Sequence, residues 1–432
     1  MLERLFQLQA HGTTVRKEVV AGITTFLTMA YIIVVNPSIL SSTGMDFGAI
    51  FVATCLAAAI GTLIMGLWAN YPIALAPGMG LNAFFSFTVV GSMGYSWQVA
   101  LGAVFLSGFL FFMLSIFRIR EWIINSIPMS LRFGISAGIG FFLALIALKN
   151  AGIVVDHPAT LVGLGEVKTA ESLLFFGGFI LICALSFRQV TGAVMIGILA
   201  VTGIAMALGM VEYKGLASMP PSIAPTFLQL DLAGALNVGM ISIVFAFLFV
   251  DLFDTSGTLI GAAQRGGLLD KEGKLPRLGR ALMSDSIATM SGAALGTSTT
   301  TSYIESTAGI SAGGRTGLTA VVVAALFLAS LLLSPIASII PAYATAPALL
   351  YVAVLMTSGL KLIDWDDVTD AAPAVVTALM MPLTFSIANG IALGFITYAL
   401  MKAASGRWSD LNASVVIIAA IFILKFMFLD VA

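Results

Sequence analysis

Polar positions are scarce along this chain, and their placement predicts its elements. Apolar runs long enough to cross ~30 Å of hydrocarbon lie near 19–41, 49–68, 97–117, 133–153, 190–211, 237–262, 318–339, 343–361 and 413–430. Shorter or interrupted runs lie near 72–91, 172–187, 279–296 and 297–313. The stretch 373–403 is too long for one straight span and too short for two good ones, and Pro382 and Asn389-Gly390 interrupt it. The pattern predicts an all-α polytopic membrane protein of about fourteen segments. Residues 1–18 are short, mixed-charge and amphipathic (Leu2, Leu5, Phe6, Leu8) and lead straight into the first run. They read as a cytoplasmic N-terminal segment, not as a cleavable signal peptide.

Composition agrees with this reading. The chain has 432 residues, 59% hydrophobic and 9% charged, against about 25% charged in a soluble domain, so its solvent is the lipid bilayer. A net charge of −1 and the lack of a basic arm give no sign of nucleic-acid binding. Cys55 and Cys183 sit in apolar runs as small hydrophobes, and His11 and His157 fall in predicted loops. No disulfide framework, metal motif or cofactor signature is present. Within the spans there is no His-based pair or Ser-Lys pairing, which disfavours an enzyme.

Orientation follows from the cations. With residues 1–18 inside and strict alternation, Arg4, Arg16, Lys17, Arg118, Arg120, Arg132, Arg188, Arg265, Lys271, Lys274, Arg277, Arg280, Arg315 and Lys361 face the cytoplasm. Only Lys149, Lys168 and Lys214 face the other side, and Lys402, Arg407 and Lys425 sit where the boundary is soft. This bias predicts a cytoplasmic N-terminus.

The two halves look related. ITTFLTMAYIIVVNP aligns with ISIVFAFLFVDLFDT, and PIALAPGMGLNAFFSF with GTSTTTSYIESTAGI. Asn36 and Asp254 are 218 positions apart, Asn82 and Glu305 are 223 apart. Seven segments per half would invert the second repeat, and inverted repeats with broken helices place a substrate site at the midplane.

Carboxyls at bilayer depth cost roughly 2.5–3.5 kcal/mol on insertion scales and mark ion or substrate pathways. Asp251 and Asp254 share one helical face; two like charges that close in a low dielectric favour holding a proton between them. Thr255, Ser256 and Thr258 follow, able to satisfy lone pairs or line a cavity. Glu305 would open a half-helix after six hydroxyl residues ending at Ser302, suited to the positive end of the helix dipole; the alternative is a structural ion pair. Asp285 is a fourth buried acid, supportive or functional. In the third segment, Pro77-Gly78-Met79-Gly80 breaks the backbone. Asn82 then offers a ligand both donors and an acceptor, and Phe84 or Phe85 a flat face; the alternative is a kinked helix with Asn82 as an interhelical hydrogen bonder. Met381–Gly390 reads as a hinge or pathway cluster, and Asp364, Asp366, Asp367 and Asp370 as a solvated connection.

At AGITTFLTMAYIIVVNPSIL, APGMGLNAFF, FVDLFDTSGTLIG and GTSTTTSYIESTAGI, the chain resembles nucleobase:cation symporters of the xanthine/uracil permease superfamily, in the AzgA-like adenine/guanine/hypoxanthine branch. The resemblance implies two inverted seven-segment repeats with short strands and half-helices in segments 3 and 10. It implies a core domain over 19–117 and 237–339, and a gate domain over 118–236 and 340–432 that mediates homodimers. It places a purine nucleobase against Asp251 and Glu305, with Asn82 in or beside the site and Asp254 as a second acid of the branch. Gly80, Phe84, Phe85, Ser302 and Tyr303 complete the expected substrate-facing set; Asp251, Asp254, Asp285 and Glu305 form the expected proton-coupling set. Asp251, where xanthine and uracil branches usually carry Glu, favours hypoxanthine, guanine or adenine. The expected function is uptake across the inner membrane in symport with a proton, sodium being the less favoured ion. The rivals are a uracil/xanthine permease, an anion transporter of the same fold and a passive channel.

Overall fold

The computed structural model describes residues 2–117, 127–158, 160–270 and 275–428. Arg118, Arg120, Lys271 and Lys274, the domain boundary at 118 and the end of the run at 430 lie outside the described residues, as do the side chains of Ser256 and Arg265.

Helix α1 (Leu2–Phe6) is short, and Phe6 and Leu8 are buried against Leu318. Helix α2 (Val15–Met29) starts earlier than the apolar run because Thr14 caps it, accepting the Lys17 N–H at 3.3 Å. A break at Ala30-Tyr31 precedes α3 (Ile32–Leu40), and α4 (Phe47–Ile64) runs into a π turn over Met65–Ala69. The interrupted third segment follows as β1 (Leu75–Pro77), α5 (Met79–Ala83) and a π-wound continuation, Phe84–Ser92. Helix α6 (Trp97–Ile116) and helix α7 (Met129–Asn150) are full-length spans. A hairpin that periodicity gave no hint of, β2 (Val154–His157) with β3 (Leu161–Leu164), leads to α8 (Ala170–Phe187) and α9 (Ala193–Ala207). The short α10 (Leu232–Ala235) precedes the 29-residue α11 (Val238–Gly266) and then α12 (Leu278–Leu295). Next come β4 (Thr300–Ser302), α13 (Ser306–Ser311), α14 (Gly317–Ala329), α15 (Ser334–Ile339) and α16 (Ala342–Thr357). The chain closes with α17 (Val368–Leu383), α18 (Ile387–Ala404) and α19 (Ala413–Phe428).

Among the described residues, eight helices are long and apolar enough to cross a membrane, and five shorter apolar helices accompany them. Helix length alone therefore does not return fourteen crossings. The ambiguous stretch 373–403 resolves into α17 and α18, an antiparallel hairpin in which Gly394 lies on Thr377 and Lys402 Nζ reaches Thr369 at 2.8 Å. Lys402 is 1% exposed and holds the carboxylates of Asp370 at 3.2 Å, Asp410 at 3.6 Å and Asp367 at 3.7 Å. Arg407 pairs with Asp367 and Asp410 beside it. Asp367 and Asp370 thus tie the hairpin's open end instead of solvating a loop.

The helices pack as two groups. One contains α2, α4, α6 and α11 to α14; the other contains α7 to α9 and α16 to α18. At the centre of the first group β1 and β4 meet antiparallel, Leu75 opposite Ser302, Ala76 opposite Thr301 and Pro77 opposite Thr300. Extended backbone at membrane depth needs every polar group paired, and the sequence supplies the partners. Thr62 Oγ1 accepts the Leu75 N–H at 2.9 Å and donates to its carbonyl at 3.0 Å. Thr289 Oγ1 donates to the Thr300 carbonyl, and the Ala74 N–H donates to Ser306 Oγ, both at 3.0 Å. The pairing of Ala76 with Thr301, 225 positions on, marks a local two-fold. Under that shift the flanking bonds Gly78 N–H to Thr299 O and Tyr303 N–H to Ala74 O, both 2.9 Å, are one bond seen twice. The offset lies close to the separations of the aligned motifs, as inverted repeats require.

Candidate functional site

Where the strand pair ends and the half-helices begin, a cavity of about 80 Å³ opens between the two helix groups. Its wall on the strand side is Gly78, Met79, Gly80 and Leu81 from the third segment, and Thr301, Ser302, Tyr303, Ile304 and Glu305 from the tenth. Val250, Asp254 and Thr258 of α11 complete that side, and Ile139 of α7 with Val352 and Met356 of α16 face it from the other group. Ordinary small-molecule pockets measure about 300–1,000 Å³, and one water takes about 30 Å³. In this arrangement the two groups are closed on a space for water, and a flat bicyclic ligand requires them to separate.

Each element aims its chemistry for a local reason. Thr297 to Thr301 are hydroxyl-bearing and mostly β-branched, which favours extended backbone, and the strand hands over to a half-helix with Glu305 at its N-terminal boundary. Tyr31, at the break between α2 and α3, donates to Glu305 Oε1 at 2.5 Å across 274 positions. Tyr303 donates through its hydroxyl to the Pro77 carbonyl at 2.5 Å, tying the two crossovers together. A Cβ on Gly80 would stand 2.5 Å from Ile139 Cγ2, and one on Gly78 would stand 2.7 Å from Thr301 Cγ2, so both approaches depend on the missing side chain.

The structure divides the expected set. Gly80, Asp254, Ser302, Tyr303 and Glu305 line the cavity. Asp251 does not: it is fully buried one turn earlier on α11, with Oδ1 3.2 Å from Thr255 Oγ1. Asp285 is also fully buried, with Oδ1 2.9 Å from the same hydroxyl. Asn82 accepts from Ser298 across the two crossovers, while its Nδ2 has no partner among the described residues. Phe84 and Phe85 turn away from the cavity to pack on Phe247, with ring centroids 5.0 and 6.5 Å apart. In the sequence Tyr31 carries a single signal, a phenol within the first apolar run, and nothing there names Glu305 as its partner. Asn36, the first-half counterpart of Asp254, donates to Thr54 at 2.7 Å and Thr297 at 2.8 Å, structural ties rather than cavity wall.

Two crossed half-helices, paired acids and a closing hydrophobic wall are the parts of a carrier, and the comparisons agree. Residues 16–393 match the model of the Permease family. The chain belongs to that family. It is 53% identical over 430 residues to the adenine permease AdeP of Escherichia coli K12, covering 100% of this chain and 97% of that one. It is 45% identical to the guanine/hypoxanthine permease PbuG of Bacillus subtilis 168, over 99% and 100% of the two chains. In fold it is similar to the transmembrane domain of the cyanobacterial bicarbonate transporter BicA, with a TM-score of 0.66 at 15% identity over 86% of this chain and 96% of that one. This family member is a multi-pass membrane carrier and not an enzyme.

Proposed function

We propose that this protein takes up purine nucleobases, adenine first among them, across the inner membrane in symport with protons. The observation that carries the reading is the cavity walled by Asp254 and Glu305 on one helix group and by Ile139, Val352 and Met356 on the other. A neutral purine presents a donor–acceptor edge that a carboxyl pairs with in bidentate fashion, and a flat face for apolar walls. Residues 19–117 and 237–339 act as a core that carries the bound base; 118–236 and 340–432 act as a gate, the surface through which two copies associate. Movement of core against gate opens the site to either side in turn. Proton and base each stabilise the same arrangement of core against gate, and that shared preference is the coupling. The N-terminus lies in the cytoplasm, on the side of the fourteen cations counted above. Acid-lined walls disfavour an anion as cargo, whatever the fold has in common with a bicarbonate carrier. Higher identity to AdeP than to PbuG ranks adenine before guanine and hypoxanthine.

The test is accumulation of labelled adenine in cells stripped of their own purine carriers, with and without a protonophore. Accumulation that the protonophore abolishes, and that unlabelled adenine competes away better than guanine, is the expected result. Equilibration without accumulation would make the protein a facilitator.

A further inference from the structure

Behind the cavity, two buried acids are joined to it by two hydroxyls. Thr301, on the cavity wall, has its Oγ1 2.6 Å from Thr255 Oγ1. Thr255 Oγ1 in turn stands 2.9 Å from Asp285 Oδ1 and 3.2 Å from Asp251 Oδ1. Thr255, Asp251 and Asp285 are all fully buried. Each of these three contacts is a hydrogen bond only if a hydrogen lies in it. A hydroxyl supplies one hydrogen and an ionised carboxylate supplies none. Thr255 and Thr301 together supply two. With both acids ionised, one contact would set lone pair against lone pair in a low-dielectric site, where an unmatched polar contact is costly. The arrangement is complete when one of Asp251 and Asp285 carries a proton.

We propose that Thr301 and Thr255 form a relay that moves the coupling proton between the cavity and the Asp251–Asp285 pair, leaving Asp254 and Glu305 to face the nucleobase. The inference rests on the proton-symport reading above. In the inward direction a cavity hydronium gives a proton to Thr301 Oγ1 and is left as water. Thr301 passes its own hydrogen to Thr255 Oγ1, and Thr255 passes its own to Asp285 Oδ1 or Asp251 Oδ1. Each hydroxyl breaks one O–H bond and forms one, and the net change is one carboxylate converted to a carboxylic acid. The titratable groups around the relay are Asp251 and Asp254 from α11, Asp285 from α12, and, around the cavity, Glu305 with Tyr31 and Tyr303. The two acid pairs then divide the labour: the pair in the cavity meets the base, the pair behind it stores the proton.

The test uses the full-length protein in liposomes containing a trapped pH dye, with labelled adenine as the probe. Adenine entry and lumenal acidification are measured together, and their ratio is the readout. In Thr255→Val the ratio of protons to adenine is expected to fall by about tenfold or more, since a positioned proton-transfer group contributes about 10²–10⁴-fold to the rate of transfer. Thr255→Ser, which restores the hydroxyl, is expected to restore the ratio. An unchanged ratio in Thr255→Val overturns the relay, and so does a Thr255→Ser variant as uncoupled as the valine, because packing would then be the cause. If Thr255→Val does not fold, Thr301→Val takes its place: a lowered ratio supports the relay and an unchanged one overturns it. Wild-type liposomes that take up no adenine overturn the proposed function and the relay with it. A coupled wild type beside an equally coupled Thr255→Val overturns the relay alone.

Discussion

Between Leu75 and Ala83 the third segment carries no ionisable group, whereas between Thr300 and Ser311 the tenth carries Glu305 and a run of hydroxyls. Their backbones are nevertheless near-equivalent: each runs as a three-residue strand, pairs with the other about Ala76 and Thr301, and turns into a half-helix. The two-fold is a property of the backbone hydrogen bonds, and the side chains ignore it. The third segment contributes close approach through Gly78 and Gly80, and the tenth contributes polar contact through Ser302, Tyr303 and Glu305. Duplication supplied a symmetrical frame; divergence gave one half the fit and the other the chemistry.

Substitutions on the two sides sharpen or break that division. The largest effect is expected from Glu305→Gln, which replaces the carboxyl of the cavity wall with an amide. A buried polar group left without its partner costs about 1–3 kcal/mol, so adenine uptake should fall roughly 10- to 100-fold. Asn82→Ala, on the other side, should change adenine affinity far less and lower thermal stability instead, since Ser298 loses its acceptor. Equal losses of uptake in the two variants would break the comparison.

Gly80→Ala tests the fit. Its methyl would meet Ile139 Cγ2 at 2.5 Å, and overpacking costs about 1–3 kcal/mol. The closed arrangement should become roughly tenfold rarer, read as a lower maximal rate of adenine uptake. Substitution of Ile139 by Ala in the same chain should recover most of it. A smaller change is expected from Tyr31→Phe, which deletes one hydrogen bond to Glu305. Its loss, about 1 kcal/mol, should appear as a several-fold higher KM with little change in maximal rate.

The smallest effect lies outside the crossing, at the α17–α18 hairpin, and serves as the control. The Thr369 hydroxyl, followed by the Arg407 guanidinium, holds the Asp367 carboxyl below the usual carboxylate range. A lowered value means that Asp367 stabilises the fold above its ordinary titration near pH ~4. That contribution fades as pH falls toward the lowered value. Asp367→Asn should therefore flatten the acid limb of thermal stability in detergent while leaving adenine uptake near neutral pH unchanged.

How much of this was legible differs by residue. The break at Pro77–Gly80, the hydroxyl run before Glu305 and the acids of α11 stood out because each violates the apolar pattern of a span, and a violation at membrane depth needs a reason. Ranking Asp251 over Asp254 was not possible from spacing. The two are three positions apart and share a face, and only the packing of α11 against its neighbours puts Asp254 in the cavity wall and leaves Asp251 out of it. Phe84 and Phe85 looked available for a flat ligand because sequence gives a ring but not its partner, which proves to be Phe247. Tyr31 and Lys402 make the same point from the other side: Glu305 lies 274 positions from Tyr31, and Asp370 and Asp367 lie 32 and 35 positions from Lys402.

The sequence by itself determined the solvent, the apolar runs, the broken segments and the repeat, because hydropathy and backbone breaks are local and each residue carries its own share of them. The tertiary structure alone decided which acid meets the cavity, that Asp285 reaches the Thr255 hydroxyl, and how closely the two helix groups approach. Those properties are distances between residues far apart in the chain, set by helix rotation and by the absence of side chains at Gly78 and Gly80, and no single stretch of sequence contains them.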